Sequence, residues 1–511
     1  MMTGHKYPHT KREDIVDEIH GVKVEDPYRW LEDASAEEVK TWIEQQNELT
    51  DSVVGEYGGE NAVRARLEAL WRYDEIMWGY VDVRATEHGP RFFFLYRRAD
   101  AEQPSLCYQD GEDGEVVVLY DPLEASEEGL VAIDWFEASH DGSMVAFGIS
   151  EDGTELSELH IMNVHTGEHL DEKIPRTKWC RLAWNGNDGF YYTRYPLPGT
   201  VPTEDENYYH HVYYHELKAD YRDDVKIFGK GRPKTEHYLL TMNEESTLIA
   251  ITARRFTSTD VYVAHMDSQE PTSLAFVPII ESNEVQSYPL LDGSDLYLMT
   301  QKGAPNGRII RYDLEHFQNG GEIPPAETVV EETDGVIFGL GYRRAAVFNG
   351  KIAVIEDKSA SSSLKVYDID TKRLVDDVDF GTHVSTNYLS TAKGLDTFYY
   401  SSGSFFYPVS HCVYDEGKPQ CLFRPSLNLD FDDYQSELVW YKSRDGTRVS
   451  MFLLSSKTLK PTEETPVLLT GYGGFGIPLT PSYHPASVLW IESGGVVAIP
   501  HLRGGGEYGQ A

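Results

Sequence analysis

Residues Thr465-Pro-Val-Leu-Leu-Thr-Gly-Tyr-Gly-Gly-Phe475 decide how the last part of this chain folds. Pro466 to Thr470 is a short apolar run typical of a buried strand, and a glycine-rich turn follows it directly. Glycines allow the backbone to turn tightly and to approach a ligand closely. Tyr472 is the only reactive side chain in this turn, and its phenol can donate a hydrogen bond to a developing oxyanion. The stretch therefore predicts a strand that leads into a ligand-binding loop.

The segments on either side predict an α/β sheet with an antiparallel edge. Upstream, residues 437–441 and 448–454 flank Arg444-Asp445-Gly446-Thr447 and predict a hairpin. Downstream, residues 496–499 predict a second buried strand, and residues 487–492 fit either a short helix or a strand. In α/β-hydrolases the loop after the third strand serves the oxyanion hole, and the nucleophilic Ser follows later in Gly-x-Ser-x-Gly. The 511 residues contain no such motif, so we expect this sheet to be incomplete.

The long middle of the chain, residues 73–427, has the pattern of an all-β domain. Seven apolar or aromatic runs predict strands, and most of them follow a turn: 91–96, 144–147, 189–193, 248–252, 296–299, 351–355 and 397–400. Several of these runs are followed about ten residues later by a second predicted strand. The resulting two-strand unit recurs at intervals of roughly 40 to 55 residues, a period typical of propeller blades. We therefore predict a β-propeller of seven blades. The alternative is a large irregular β-sandwich, although a sandwich rarely needs so many strands.

Residues 1–72 predict mainly helices after an extended start. Ser35 and Glu38 have the spacing of a capping box, and Val39, Trp42 and Ile43 then recur at helical intervals. The aromatic residues of this segment favour packing against another domain over a functional role. Residues 428–511 form the third predicted segment, which begins an α/β domain.

The charge balance is unusually acidic, with 84 Asp and Glu against 45 Lys and Arg and a formal net charge of −39. Such a surface repels nucleic acid and anionic membranes, so we expect neither as a partner. Solubility alone explains the acidity. A high-salt environment is the alternative explanation, because salt screens the self-repulsion.

The cysteines and the N-terminus predict a cytoplasmic protein. Four cysteines in this length, without Cys-x-x-Cys spacing, indicate reduced core thiols and not a disulfide network. The first residues, Met-Met-Thr-Gly-His-Lys-Tyr-Pro, lack the apolar segment of a secretory signal. No run has the apolar length that a membrane-spanning helix needs.

Several of these motifs together resemble the prolyl oligopeptidase family of serine peptidases. The resemblance runs from end to end and is carried by these stretches: Tyr7-Pro8, Asp26-Pro-Tyr-Arg-Trp-Leu-Glu-Asp33, Ala183-Trp184, residues 441–446, Gly471-Tyr-Gly-Gly-Phe475 and Arg503-Gly-Gly-Gly-Glu-Tyr-Gly509. The last two are the most specific. The resemblance implies a β-propeller inserted into an α/β-hydrolase domain that is incomplete in this chain, in the same order as the segments above.

The resemblance also implies an activity, namely cleavage of short peptides after proline by acyl transfer through a Ser-His-Asp triad. All three triad residues of the family would lie beyond Ala511, so the 511-residue chain is expected to be inactive alone. Tyr472 matches the oxyanion-hole tyrosine of the family. Phe475 matches an aromatic residue of the substrate pocket, Trp179 a propeller aromatic against the peptide, and Arg254 a possible lining residue. No cofactor is implied, and the complete enzyme is expected to be a monomer that binds short proline-containing peptides.

Other interpretations of these residues remain open. Tyr472 can be an ordinary loop residue, and Trp179 can serve packing alone. His210, His211 and His215 invite a metal site, but adjacent histidines on a strand point to opposite faces, so we predict no metal. The alternative function is a catalytically inactive propeller fragment that binds peptides.

Overall fold

The computed structural model describes residues 6–126, 129–266, 270–317, 321–338, 343–415 and 417–509. It divides the chain into two compact units, Met1–Ala69 and Leu70–Ala511, which are described separately. No helix within these described ranges is long and apolar enough to cross a bilayer.

The first unit combines a hairpin with two helices. Strands β1 (Val16–Ile19) and β2 (Val22–Glu25) pair antiparallel, a 3₁₀ turn covers Arg29–Glu32, helix α1 is Glu37–Gly55, and α2, Glu60–Trp71, runs into the second unit. The predicted extended start is a paired hairpin. It forms because His20 and Gly21 both take positive φ, 49° and 80°, as a tight turn between paired strands requires.

The predicted capping box at the start of α1 is wrong. The N-cap of α1 is Ala36, which makes no side-chain cap, and the Ser35 hydroxyl instead donates to the Asp33 carboxylate at 2.6 Å. The nearer aspartate therefore takes the hydroxyl that a capping box would use.

Seven four-stranded antiparallel sheets follow in chain order, and they confirm the seven-bladed propeller. Blade 1 contains β3 (Glu75–Thr86), β4 (Gly89–Arg97), β5 (Ser105–Asp110) and β6 (Val117–Tyr120). After the short helix α3 (Pro122–Ala125), blade 2 contains β7 (Val131–Ala138), β8 (Met144–Glu151), β9 (Glu158–Asn163) and β10 (His169–Ile174). Blade 3 contains β11 (Leu182–Asn185), β12 (Gly189–Arg194), β13 (His211–Glu216) and β14 (Val225–Phe228).

The remaining four blades repeat this arrangement. Blade 4 contains β15 (His237–Met242), β16 (Leu248–Arg254), β17 (Thr259–His265) and β18 (Val277–Ile280). Blade 5 contains β19 (Ser287–Asp292), β20 (Asp295–Thr300), β21 (Arg308–Asp313) and β22 (Glu327–Val330). Blade 6 contains β23 (Ala345–Phe348), β24 (Lys351–Lys358), β25 (Ser361–Asp368) and β26 (Leu374–Asp379). Blade 7 contains β27 (Val384–Ser390), β28 (Phe398–Ser404), β29 (Ser410–Asp415) and β30 (Lys418–Phe423).

The first strands of the blades line a central channel with a cavity of about 650 Å³. Two arginines and two acids form an ion-pair network in its wall. Arg84 lies 2.7 Å from Asp82 and 3.0 Å from Glu137, and Arg343 lies 3.2 Å from Asp82. Each charge is paired, which is the condition for burying it. The channel therefore carries a fixed polar lining.

Blades 1 and 7 meet without exchanging strands, since every sheet is built from consecutive strands. The Phe92 and Tyr399 rings pack edge to face with centroids 4.8 Å apart, and the Val83 N–H donates to Ser390 Oγ at 3.2 Å. Side-chain packing therefore joins these two blades.

Two of the cysteines contradict the prediction of reduced thiols. Cys412 on β29 and Cys421 on β30 are register partners and form a disulfide. A separation of nine residues lets a hairpin place them face to face, which the spacing alone did not reveal. Cys107 and Cys180 are free and buried, and burial raises the pKa of each thiol to about 12.

The second unit ends in a mixed sheet with strand order β31-β32-β34-β33. The strands are β31 (Tyr434–Lys442), β32 (Arg448–Ser456), β33 (Val467–Leu469) and β34 (Val496–Pro500), with helix α4 (Pro485–Glu492) before β34. Strands β33 and β34 pair parallel and the other pairs are antiparallel, as predicted. The prediction that the strand before Tyr472 is buried is wrong, because β33 lies at the edge of this sheet and is exposed along its length. The open choice for residues 487–492 is resolved as helix.

The acidic charge gives a prediction for salt. The net charge of −39 destabilises the compact state by self-repulsion, so the thermal midpoint should rise with NaCl. Most of the rise should occur below about 0.5 M, because the Debye length is already near 10 Å at 0.1 M and about 3 Å at 1 M. Thermal unfolding followed by circular dichroism measures the midpoint. A midpoint that stays level, or that rises only in proportion to salt up to high concentration, would contradict screening as the cause.

Candidate active-site region

Two glycine-rich segments pack backbone against backbone after strands β33 and β34. Residues 471–476 follow β33, residues 502–506 follow β34, and the Gly476 N–H donates to the Gly504 carbonyl at 2.8 Å. Gly504 has a φ of +95°, and a Cβ there would lie 2.3 Å from the Gly473 carbonyl oxygen. Only glycine fits this approach, so the Gly-Gly-Gly segment serves as a support for the Tyr472 loop.

Side chains in and directly after the second segment tie it to other parts of the structure. Arg503 pairs with Asp445 in the β31–β32 turn, and Glu507, which is buried, accepts the Leu479 N–H at 2.8 Å. Burial raises the pKa of Glu507. Arg503 and Glu507 therefore do not pair with each other. Arg503 reaches the β31–β32 turn, and Glu507 reaches the irregular stretch between β33 and α4. Behind them His501 lies 2.6 Å from Ser450 Oγ through Nδ1.

The loop presents its two aromatic side chains to solvent. Tyr472 is 53% exposed and Phe475 is 60% exposed, and their ring centroids lie 6.3 Å apart. The Tyr472 hydroxyl has no hydrogen-bond partner among the described residues, so it is available as a donor. An exposed phenol of this kind can donate a hydrogen bond to a bound ligand.

Phe475 does not stand alone, because a propeller residue packs on it. Phe256, in the turn between β16 and β17 of blade 4, stacks on Phe475 with centroids 5.5 Å apart and an interplanar angle of 30°. The sequence interpretation missed Phe256. The available signal was a large aromatic residue in a polar Thr-Ser turn between two buried strands, where core packing gives it no role.

Trp179 and Arg254 lie beside each other on blades 3 and 4. Trp179 is 55% exposed, and its ring lies 5.7 Å from the His237 ring. His237 is in turn the register partner of Arg254. Arg254 lines the central channel, and its guanidinium has no hydrogen-bond or ion-pair partner within the described ranges. An exposed indole and an unpaired cation thus flank one imidazole.

Three histidines lie on or directly before the neighbouring strands, and His210 and His215 are buried while His237 is half-buried. Burial lowers the pKa of His237 and, more strongly, that of His210, whose ring lies 5.3 Å from His237. His215 points elsewhere and pairs with Asp224 at 2.8 Å. No group of three His, Cys, Asp or Glu side chains placed to hold a metal ion occurs in the described part of the chain.

The structure therefore gathers the predicted residues into two neighbouring groups. Tyr472 and Phe475 form one group, Trp179 and Arg254 form the other, and Phe256 and His237 connect them. Such a surface suits a peptide, because aromatic faces accept apolar side chains while a cation and a phenol bind carbonyl oxygens. A nucleophile with a neighbouring base does not occur among these residues.

Comparison with known proteins relates this chain to prolyl oligopeptidases. A sequence profile described as "Prolyl oligopeptidase, N-terminal beta-propeller domain" matches residues 7–421. The prolyl endopeptidases of Elizabethkingia miricola and Elizabethkingia meningoseptica are 29% and 28% identical, each over 99% of this chain and 69% of the relative. A solved structure from a study of two prolyl endopeptidases matches with a TM-score of 0.89 at 28% identity, covering 99% of this chain and 72% of that one.

The fold is shared more widely. Prolyl oligopeptidase B from Galerina marginata, bound to a 35mer hydrolysis and macrocyclization substrate, matches with a TM-score of 0.87 at 21% identity. The chain belongs to the prolyl oligopeptidase family of serine peptidases. It spans 69% of the length of the two Elizabethkingia relatives.

The glycine packing gives a prediction for Gly504→Ala. The methyl group would meet the Gly473 carbonyl oxygen at 2.3 Å in addition to the strain of positive φ. We expect a loss of about 1–3 kcal/mol in unfolding free energy beyond that strain, measured by urea denaturation. Gly446→Ala is the matched control, because Gly446 has a φ of +88° with nothing within 4 Å of the added Cβ. Equal losses in the two variants would show that the close approach does not matter.

His501 gives a prediction for acid. Burial lowers the pKa of His501 to about 4, whereas the unfolded chain has a value near 6.5. The unfolded state therefore binds more protons, and the stability contributed by neutral His501 is present above about pH 6.5 and is lost as pH falls toward 4. Lowering the pH from about 6.5 to about 4 should reduce the unfolding free energy of both proteins. The loss should be about 1–3 kcal/mol smaller in His501→Asn than in the wild type. Urea denaturation at a series of pH values measures the slope, and exposed His165→Asn is the control. An unchanged slope in His501→Asn would refute the assignment.

Proposed function

We propose that this chain is the propeller and the first hydrolase part of a serine-type oligopeptidase that cleaves short peptides after proline. Residues 73–427 form the propeller, and residues 1–72 and 428–511 belong to the α/β-hydrolase part. The reaction is acyl transfer through a Ser-His-Asp triad supplied by sequence downstream of residue 511. Support comes from the family membership and from relatives named prolyl endopeptidase.

The observation that carries the proposal is the exposed, unpartnered Tyr472 hydroxyl on a loop fixed by Gly504. In acyl transfer, the serine oxygen bonds to the scissile carbonyl carbon and the carbonyl oxygen becomes an oxyanion. Tyr472 donates its hydroxyl hydrogen bond to that oxyanion. The donor needs no rearrangement because the backbone contact between residues 476 and 504 already holds the loop.

The remaining site residues bind the peptide. Phe475 offers an apolar ring for the proline side of the scissile bond, and Trp179 offers a second exposed ring on the propeller side. Arg254 has a free guanidinium, which suits a peptide carbonyl or a terminal carboxylate. The chain needs no cofactor or metal for this chemistry, and the complete enzyme acts as a monomer on short proline-containing peptides in the cytoplasm.

Assays of a chromogenic Gly-Pro peptide test the proposal. The 511-residue chain should give no turnover, and a chain extended through the open reading frame should cleave after proline. In the extended chain, Tyr472→Phe should lower kcat by roughly a hundredfold or more, because one oxyanion donor is lost. The KM should change little, since the ring that packs near Phe475 is kept.

The control is Tyr441→Phe, which removes the hydroxyl of another exposed tyrosine in the same segment. Turnover by the 511-residue chain would contradict the proposed location of the triad. An extended chain that binds the peptide without cleaving it would favour the alternative of a peptide-binding protein.

A further inference from the structure

Phe256 is the most exposed aromatic residue near the candidate site, at 75%. Its ring nevertheless has a defined neighbour, because it stacks on Phe475 from the other segment of the site. A ring so open to solvent contributes little to the core of blade 4. Its position in the turn therefore serves the contact with Phe475.

The side chain of the neighbouring residue Arg255 fixes the turn that carries Phe256. The Arg255 guanidinium donates to Asp260 at 2.7 Å, to Glu236 at 2.8 Å and to the Ser282 carbonyl at 2.6 Å. Arg232 binds the same two acids, at 2.6 Å from Glu236 and 2.7 Å from Asp260. Glu236 and Asp260 are buried, so removing either arginine would leave a buried negative charge less well paired, which costs stability. The turn is a fixed platform.

The Phe475 ring sits on the 471–476 loop, whose backbone packs on residues 502–506 while its two aromatic side chains extend away from that support. Phe475 has a φ of 57°, a conformation that costs a residue other than glycine about 1–2 kcal/mol. The next residue, Gly476, donates to the Gly504 carbonyl, but Tyr472 and Phe475 are themselves exposed. The strained position needs a compensating contact, and the Phe256 ring provides one.

We infer that Phe256 is a positioning residue for the 471–476 loop. Its ring holds Phe475 against the rigid Arg255 turn. It thereby sets the Tyr472 hydroxyl at a fixed place relative to Arg254, which lies two residues before Phe256. One aromatic contact thus aligns the two groups of site residues, one from the propeller and one from the segment after β33. The consequence for catalysis rests on the proposed function, whereas the stack and its effect on the loop do not.

Hydrogen exchange measured on the 511-residue chain without peptide tests the inference. In Phe256→Ala, amides of residues 470–478 should exchange roughly two- to tenfold faster, the range expected for loss of one aromatic pair. Phe256→Tyr keeps the ring and should restore the wild-type rate. Tyr441→Ala, which removes an exposed ring elsewhere in the same unit, is the matched control and should leave residues 470–478 unchanged.

A double-mutant cycle checks that the effect runs through Phe475. Phe475→Ala alone should accelerate exchange of residues 470–478, and Phe256→Ala added to it should have little further effect. Additive effects of the two substitutions would overturn the inference, as would an unchanged rate in Phe256→Ala. Fast exchange of residues 248–254 would show that Phe256→Ala unfolds blade 4. In that case the exchange of residues 470–478 is measured in Phe256→Leu, which removes the aromatic ring but keeps an apolar side chain.

Activity of the extended chain separates this inference from the proposed function. If both hold, Phe256→Ala should lower kcat several-fold and Phe256→Tyr should restore it. If the extended chain has no peptidase activity while the exchange coupling is observed, the proposed function fails and the positioning role stands. Activity lost without any change in exchange would show that Phe256 contacts substrate directly, which overturns the positioning role.

Discussion

The structure of the second unit depends on burying both faces of the middle strands of each blade between two neighbouring blades. Blade 4 shows the arrangement. Ile249, Ile251 and Ala253 pack toward blade 3, and the intervening Leu248 and Ala250 pack toward blade 5. Because side chains alternate along a strand, one strand serves two interfaces at once. Each blade is therefore stable only beside its neighbours. In a closed ring of seven blades, every blade has a neighbour on both sides.

That constraint fixes the places where function is possible. A strand that is buried on both faces offers no side chain to a ligand, so the exposed groups of the candidate site lie at strand ends and in turns. Arg254 ends strand β16, and the turn that follows it carries Phe256 on the ion-pair network of Arg255. Trp179 precedes the first strand of blade 3. The site is thus built from loops on a rigid support, which keeps its charged and aromatic groups in place without burying them.

The sequence predicted the propeller through one class of strand. The seven apolar runs identified from the sequence lie in the second strands of the blades, such as β16. The predicted strands that follow them lie in the third strands, such as β17. These strands are almost continuously apolar because both faces are buried. The fourth strands are mostly exposed, as in β30, and the first strands mix channel-lining polar residues with core. Their patterns resemble those of loops, so the predicted two-strand unit is in fact a four-strand blade.

The sequence by itself determined the number of blades, the order of the segments, the strand and glycine loop that carry Tyr472, and the resemblance that names the family. Local patterns suffice for these features because the backbone conformation of a strand or a turn depends mainly on neighbouring residues. The exposure of β33 was not among them, since it depends on what covers the edge of the sheet. Only the tertiary structure decided that Cys412 faces Cys421, that Gly504 supports the Tyr472 loop, and that Phe256 stacks on Phe475. In the last two cases the partners are distant in sequence, and in all three the contact depends on side-chain direction and register. No pattern within one segment encodes these.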